Sequence, residues 1–342
     1  MRPAEATLDP GPMLALLERS FAAATAGPAG AHGLPRVLWE RALLGPLREF
    51  LSRPGKQLRA RLVELGFTLG GGAAHTLPAE LPLLIEILHA GSLIIDDIED
   101  GSEQRRGLPA LHRLHGVPVA LNAGNWLYFW PQVLLAALPL PARARLHAHE
   151  RIAECLLRCH EGQALDLTVR VGELAKADVP AVARTLATLK TGKLGGLATA
   201  LGAIAARAPR RRVEALARFG CEIGVGLQML DDLSGVLNAA RRDKAREDLR
   251  LGRVTWVWAW LAEQLDGASY EQLRREQLAG DQGCESVLEQ ARFQLGMTGL
   301  RRIRLHFDGA LAALARALGG DAWLAAVRAE LEWLERRFME AS

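Results

Sequence analysis

Apolar residues recur along most of the chain at the three- and four-residue spacing of helices that bury one face. Short polar or Gly/Pro-rich stretches at 70–79, 101–109, 172–180, 207–211 and 276–284 interrupt that pattern. The runs between them are long enough for helices of several turns, so the pattern predicts an all-α chain built as one large helical bundle. Residues 24–35, ATAGPAGAHGLP, read as a mobile lead-in, and the expected division is a flexible segment over 1–36 followed by one domain over 37–342. A length of 342 residues would permit two domains, but no linker divides the helical patterns and no internal repeat is evident.

Composition narrows the class. Ala, Leu and Arg are abundant and aromatics make up only 5%, a balance that favours helices over strands. The formal charge of +3 comes from 42 basic and 39 acidic residues, so nucleic acid is not indicated as a partner. Arg210-Arg211-Arg212 and Arg301-Arg302 read as solvated faces. Cys155, Cys159, Cys221 and Cys284 do not form a disulfide framework. A helix carrying Cys155 and Cys159 one turn apart would hold their bond vectors badly for a bridge, so a reduced, cytoplasmic protein is expected. Residues 1–35 lack the apolar core of a secretory signal. The longest apolar stretch, around 117–141, is broken by Asn122, Asn125, Gln132 and prolines, so no transmembrane segment is expected.

The chemistry concentrates in HAGSLIIDDIEDGSEQRRG, residues 89–107. At 3.6 residues per turn, Asp96 and Asp100 project from one helix face with Asp97 beside them. Such a cluster needs cations, and a few carboxylates completed by water and phosphate oxygens suit Mg²⁺. Arg105 and Arg106 suit diphosphate oxygens, which planar guanidinium groups bind bidentately. The ordinary alternative is a solvated acidic helix end followed by a basic loop. A second pair, Asp231-Asp232, follows an apolar helical stretch in CEIGVGLQMLDDLSGVL, with Gln228 one turn earlier. Two acidic clusters on separate helices can face one cavity, where metal ions would hold a diphosphate while its carbon–oxygen bond breaks.

With both clusters in view, the chain resembles the trans-isoprenyl diphosphate synthases, most of all geranylgeranyl diphosphate synthases of the eukaryotic type. The resemblance runs from about Leu38 to about Leu318. It is carried by LSRPGKQLRARL (51–62), HAGSLIIDDIEDGSEQRRGLPALHRLHGVP (89–118), NAGNWLYF (122–129), CHEGQALDL (159–167), LKTGKLGGLA (189–198), LQMLDDLSGVL (227–237) and KAREDLRLGRVT (244–255), in the family's order. It implies the isoprenoid synthase fold with a central active-site cavity, a homodimer, and condensation of isopentenyl diphosphate with dimethylallyl, geranyl or farnesyl diphosphate. Asp96, Asp97, Asp100, Asp231 and Asp232 match the metal motifs. Lys56, Arg59, His89 and Arg106 match the isopentenyl diphosphate headgroup site, and Arg105, Lys190, Thr191 and Gln228 the allylic one; Lys244 and Arg253 join the substrate-binding set. For product length, Gly91 and Ser92 are the small residues before the first motif, and Tyr128, Phe129 and His160 stand where the relatives build a cavity floor, implying a geranylgeranyl product.

Three departures stand out. Gly235 occupies the third position of the second motif, where Asp or Asn is usual, so weaker metal binding is expected there. Arg253 replaces a lysine and keeps the charge with a different donor geometry. Trp256, Trp258 and Trp260 add bulk where a proline is expected; Trp256 and Trp260 share a helix face, so the three cannot all point one way. A tryptophan facing the cavity could stabilise a carbocation, which keeps open a terpene cyclase on the same fold. A non-catalytic synthase subunit is the other alternative. Lys56, Arg59, His89 and Arg106 argue against the cyclase, which needs no second headgroup site, and the intact DDIED argues against the subunit.

Overall fold

The computed structural model describes residues 10–25, 34–55 and 57–339. Among these the chain is helical almost throughout, as the apolar spacing predicts. The one sheet is a two-stranded antiparallel ladder of β1, Gln104–Arg105, and β2, Leu108–Pro109, with Gln104 opposite Pro109 and Arg105 opposite Leu108. Internal contacts divide the chain into two compact units: Met1–Leu65 with Ala73–His149, and Gly66–Gly72 with Glu150–Ser342.

The first unit is organised by the helix Leu81–Glu99, which buries Leu81, Leu84, Ile85, Leu88 and Ile94 at helical spacing and packs along the helix Val117–Ala137. Each apolar side chain withdrawn from water in this way contributes about 1.5–3 kcal/mol. Gly91 marks the closest approach of the two helices. A Cβ there would lie 2.9 Å from the carbonyl oxygen of Gly124 and 3.0 Å from Cβ of Leu127. The expectation that Gly91 lines the path of a growing tail is therefore corrected, because its open side is filled by the neighbouring backbone.

The expected lead-in also contains structure. Gly11–Thr25 is a helix, and it buries Met13, Leu16 and Leu17. Those residues repeat at i, i+3 and i+4, enough to seat an apolar face. Glu18 of this helix pairs with Arg36 and Arg48, each at 2.6 Å. Residues 26–33 of the lead-in lie outside the described residues.

The second unit is built on the helices Lys193–Ala205 and Arg210–Leu237. They meet through small residues: a Cβ on Gly195 would stand 2.4 Å from the carbonyl oxygen of Gly220, and the buried Thr199 hydroxyl donates to Leu216 O at 2.7 Å. The helix Trp256–Gln264 is buried on all sides from Trp256 to Ala262. Trp256 and Trp260 lie against each other with centroids 5.9 Å apart, while Trp258 meets Tyr270 edge-on at 5.8 Å. All three indoles are thus core groups packed on protein. The four cysteines are free thiols, with the Sγ atoms of Cys155 and Cys159 3.9 Å apart. No helix of the described residues is long and apolar enough to cross a membrane.

Candidate active site

In the first unit, Asp96 and Asp97 occupy the last turn of Leu81–Glu99, and Asp100 is its C-cap. Carboxylates at a helix C-terminus face the negative end of the helix dipole, so the site requires nearby cations. Arg105 is one. Its Nε donates to Oδ1 of Asp97 at 2.8 Å, its Nη2 bonds the same oxygen, and it lies 3.5 Å from Oδ2 of Asp96. Burial pushes the Asp97 carboxyl up and Arg105 opposes it. Asp97 thus commits Oδ1 to Arg105, while its Oδ2 is buried without a hydrogen-bond partner.

Asp96 and Asp100, both half-buried, remain as hard oxygen donors one turn apart. Among the described residues no three His, Cys, Asp or Glu side chains converge on one point. Two carboxylates nevertheless fit Mg²⁺, which keeps several waters and takes substrate phosphate oxygens as further ligands.

Arg106 and Gly107 form the turn between β1 and β2, both with left-handed backbone, φ 57° and 77°. That geometry matches the twist of a tight hairpin. Arg53, whose side chain is fully buried, braces it by donating to Arg105 O at 3.2 Å and Pro109 O at 2.8 Å. Arg106 returns a bond to Arg53 O at 3.1 Å, and its guanidinium lies over Gly55, where a Cβ would be only 3.1 Å from the nearest nitrogen. Buried Glu86 accepts from the backbone N–H groups of Arg59 and Ala60 at 3.0 and 2.9 Å, capping the helix Leu58–Leu69. His89 is held well below the usual imidazole range by burial and by Arg59, Arg106 and Arg105. The outcome is a neutral imidazole among three guanidinium groups, an arrangement that suits a polyanion. Lys56 lies outside the described residues.

The residues expected to set product length differ in burial. Ser92 is half-buried, its hydroxyl donating to His89 O at 2.8 Å. Tyr128 is half-buried, but Phe129 is 72% exposed, because Leu127, Trp130 and Leu134 take the core face of their helix. His160 is exposed, with Nδ1 2.9 Å from Leu156 O.

In the second unit, Lys190 and Thr191 sit in a wide helical turn, Thr188–Gly192, a distortion common at functional sites. Lys190 pairs with Asp166. Thr191 Oγ1 donates to Gln228 Oε1 at 2.9 Å, and Gln228 Nε2 donates to Asp232 Oδ1 at 2.8 Å. Asp232 Oδ2 accepts from the backbone N–H of Trp256, also at 2.8 Å. Burial, with Asp231 adding repulsion, pushes Asp232 up to about 7. For Asp231 burial is outweighed by Lys244 and Arg241, which bond one oxygen each and hold it at about 2. Arg253 lies 3.5 Å from Asp248, whose carboxyl burial pushes up to about 6.

All four carboxylate oxygens of Asp231 and Asp232 are therefore occupied by protein donors. A Cβ on Gly235 would lie 2.9 Å from Cβ of Ala245, so the helix Arg242–Arg250 packs where a third ligand would stand. The expected metal role of Asp231 and Asp232 does not fit this arrangement; their oxygens hold cations and N–H groups. Inspection of the sequence also misses Arg53, Glu86, Asp166, Arg241 and Asp248. Glu86 carried a usable signal, the lone charge in LPLLIEILHA, and Asp166 and Asp248 lie inside resemblance blocks. Arg241 carried none.

The family described as polyprenyl synthetase matches residues 40–293. The chain is 31% identical over 221 residues to geranylgeranyl pyrophosphate synthase 2 of Zymoseptoria tritici, covering 64% of this chain and 63% of that one. It is 29% identical over 234 residues to a geranylgeranyl pyrophosphate synthase of Gibberella zeae, covering 68% and 61%. These matches span less than two thirds of the relatives' own length. Among solved structures, geranylgeranyl pyrophosphate synthetase from Pyrococcus horikoshii superposes with a TM-score of 0.69 at 24% identity over 97% of both chains. The Corynebacterium glutamicum synthase complexed with isoprenyl diphosphate and magnesium gives 0.71 at 22% over 98% of this chain and 99% of that one. At those identities the likeness establishes the fold, the all-α isoprenoid synthase type.

Proposed function

The chain belongs to the polyprenyl synthetase family, and from that premise we propose that it is a trans-prenyltransferase. It condenses isopentenyl diphosphate with an allylic diphosphate (dimethylallyl, geranyl or farnesyl), repeating the addition until the twenty-carbon geranylgeranyl diphosphate is released. The observation that carries this reading is the geometry of the first motif: Asp96 and Asp100 stand one turn apart at one helix end, with Arg105 3.5 Å from Asp96 and Arg106 in the hairpin turn that follows. In the same unit, Arg59, His89 and Arg106 supply a headgroup site for isopentenyl diphosphate, which a cyclase would not need. The tryptophans that would favour a cyclase are packed in the core.

Arg59, His89 and Arg106, with Lys56, hold the isopentenyl diphosphate headgroup. Arg105, Lys190, Thr191 and Gln228 serve the allylic one, and Lys244 and Arg253 join the substrate-binding set. Held by Asp96 and Asp100, Mg²⁺ would supply positive charge to the departing diphosphate. Arg105 stays aligned beside Asp96 because Asp97 fixes its guanidinium, adding preorganised charge where negative charge develops. The allylic carbon–oxygen bond breaks, the double bond of isopentenyl diphosphate attacks the cation to form a carbon–carbon bond, and a proton leaves with the released diphosphate.

The small Ser92 permits growth past fifteen carbons, and the relatives named geranylgeranyl pyrophosphate synthases support a twenty-carbon product. A homodimer is supported by the exposed row Leu121, Phe129 and Val133, which spaces at multiples of four along one helix. The test is incubation of the protein with Mg²⁺, isopentenyl diphosphate and each primer, followed by sizing of the dephosphorylated products. A cyclase would consume the allylic diphosphate alone, and a non-catalytic subunit would consume neither substrate.

A further inference from the structure

We propose that the second aspartate pair is not a metal site in this chain, and that Arg241 and Lys244, seated on Asp231, stand where an ion would otherwise bind and present their own charge to a diphosphate. The inference rests on the family reading for the diphosphate, but its structural basis lies wholly within the second unit.

Three features make Arg241 a built-in cation and not a chance neighbour. Its Nη1 donates to the buried Ser234 hydroxyl at 2.7 Å while its Nη2 bonds Asp231. Its guanidinium lies 5.1 Å from the ring centroid of Phe338, a cation–π contact. The backbone that carries it is a short turn, Ala239–Arg241, fixed by Asn238, whose side chain accepts from Ala240 N at 3.0 Å and donates to Phe338 O at 3.3 Å. Residues from two helices thus hold one guanidinium against one carboxylate.

Gly235 completes the arrangement. Without a side chain it lets Ala245 approach directly, and the helix Arg242–Arg250 then carries Lys244 onto the other oxygen of Asp231. A side chain at 235 would meet Ala245, so the packing that leaves no third carboxylate here is also the packing that brings Lys244 onto Asp231. Both oxygens of Asp232 also accept a protein hydrogen bond, one from Gln228 and one from the Trp256 N–H. Fixed cations have the donor geometry that diphosphate oxygens accept.

The experiment counts Mn²⁺ ions bound per chain, by electron paramagnetic resonance with inorganic diphosphate present. It compares the wild type with Asp231→Asn, Asp96→Ala, Arg241→Gln and the Arg241→Gln/Lys244→Gln pair. The expected result is the wild-type count in Asp231→Asn and one additional ion in the double variant, with Arg241→Gln as the milder form if the pair unfolds. Loss of an ion in Asp231→Asn, or no gain when the cations are removed, overturns the proposal. Asp96→Ala reports separately: an unchanged count there removes the metal assignment at the first motif while leaving this inference standing.

Discussion

The backbone N–H of Trp256 donates to Oδ2 of Asp232 at 2.8 Å. Trp256 opens the helix Trp256–Gln264, so a carboxylate from the neighbouring helix sits at that helix's positive end, where an anion is favoured. The capping bond does not offset burial, which pushes Asp232 up to about 7.

Stability should therefore depend on pH in two windows of opposite sign. Between about 4, the ordinary aspartate value, and about 7, the folded chain binds a proton at Asp232 that the unfolded chain has released, so stability falls as pH rises. Asp231, held at about 2, contributes stability that is lost as pH falls below about 4. Urea midpoints should be lower at pH 8 than at pH 5, and Asp232→Asn should flatten that difference. Identical pH dependence in the variant and the wild type would count against the assignment.

Chelation or removal of the first-motif ligands should stop turnover without unfolding the chain. Asp96→Ala and Asp100→Ala each delete a hard oxygen at the exposed end of a well-packed helix, and a loss of ~10²-fold or more is expected where transition-state charge goes unneutralised. Steady-state rates with and without chelator, alongside thermal melts, check this. Normal activity of Asp96→Ala in chelator would refute it.

Glu86 links stability to one substrate. Replacing it with Ala leaves the part-buried N–H of Arg59 and the buried N–H of Ala60 without their acceptor, at a cost of about 1–3 kcal/mol. Because Arg59 is placed by that cap, KM for isopentenyl diphosphate should rise more than KM for the allylic substrate. Glu86→Gln, which keeps one acceptor oxygen, should show a weaker form of the same bias. Equal changes in both constants would mean that Arg59 does not serve the headgroup.

Gly91 and Ser92 are neighbours in sequence with different predicted phenotypes. Gly91→Ala forces a Cβ against Gly124 O and should cost about 1–3 kcal/mol by overpacking, leaving product length unchanged. Ser92→Phe places a ring on the half-buried side of the helix, and fifteen-carbon product should accumulate. Chromatography of dephosphorylated products, with melting curves for both variants, separates the two effects; a shortened product from Gly91→Ala would reverse the assignment.

Local periodicity alone determined the helical class, the placement of Asp96, Asp97 and Asp100 at one helix end, and the impossibility of Trp256, Trp258 and Trp260 sharing a face. Each follows from 3.6 residues per turn and needs no knowledge of what packs nearby. Tertiary structure decided the partners. Whether Gly91 borders space or backbone depends on Gly124, 33 positions later in the sequence. Asp97 turns to Arg105 because the hairpin folds back under Arg53, and Asp231 carries Arg241 because Phe338 and Asn238 hold that turn. Spacing specifies which face a side chain leaves from; only the neighbouring helix specifies what it meets there, because burial and charge pairing are set by residues remote in sequence.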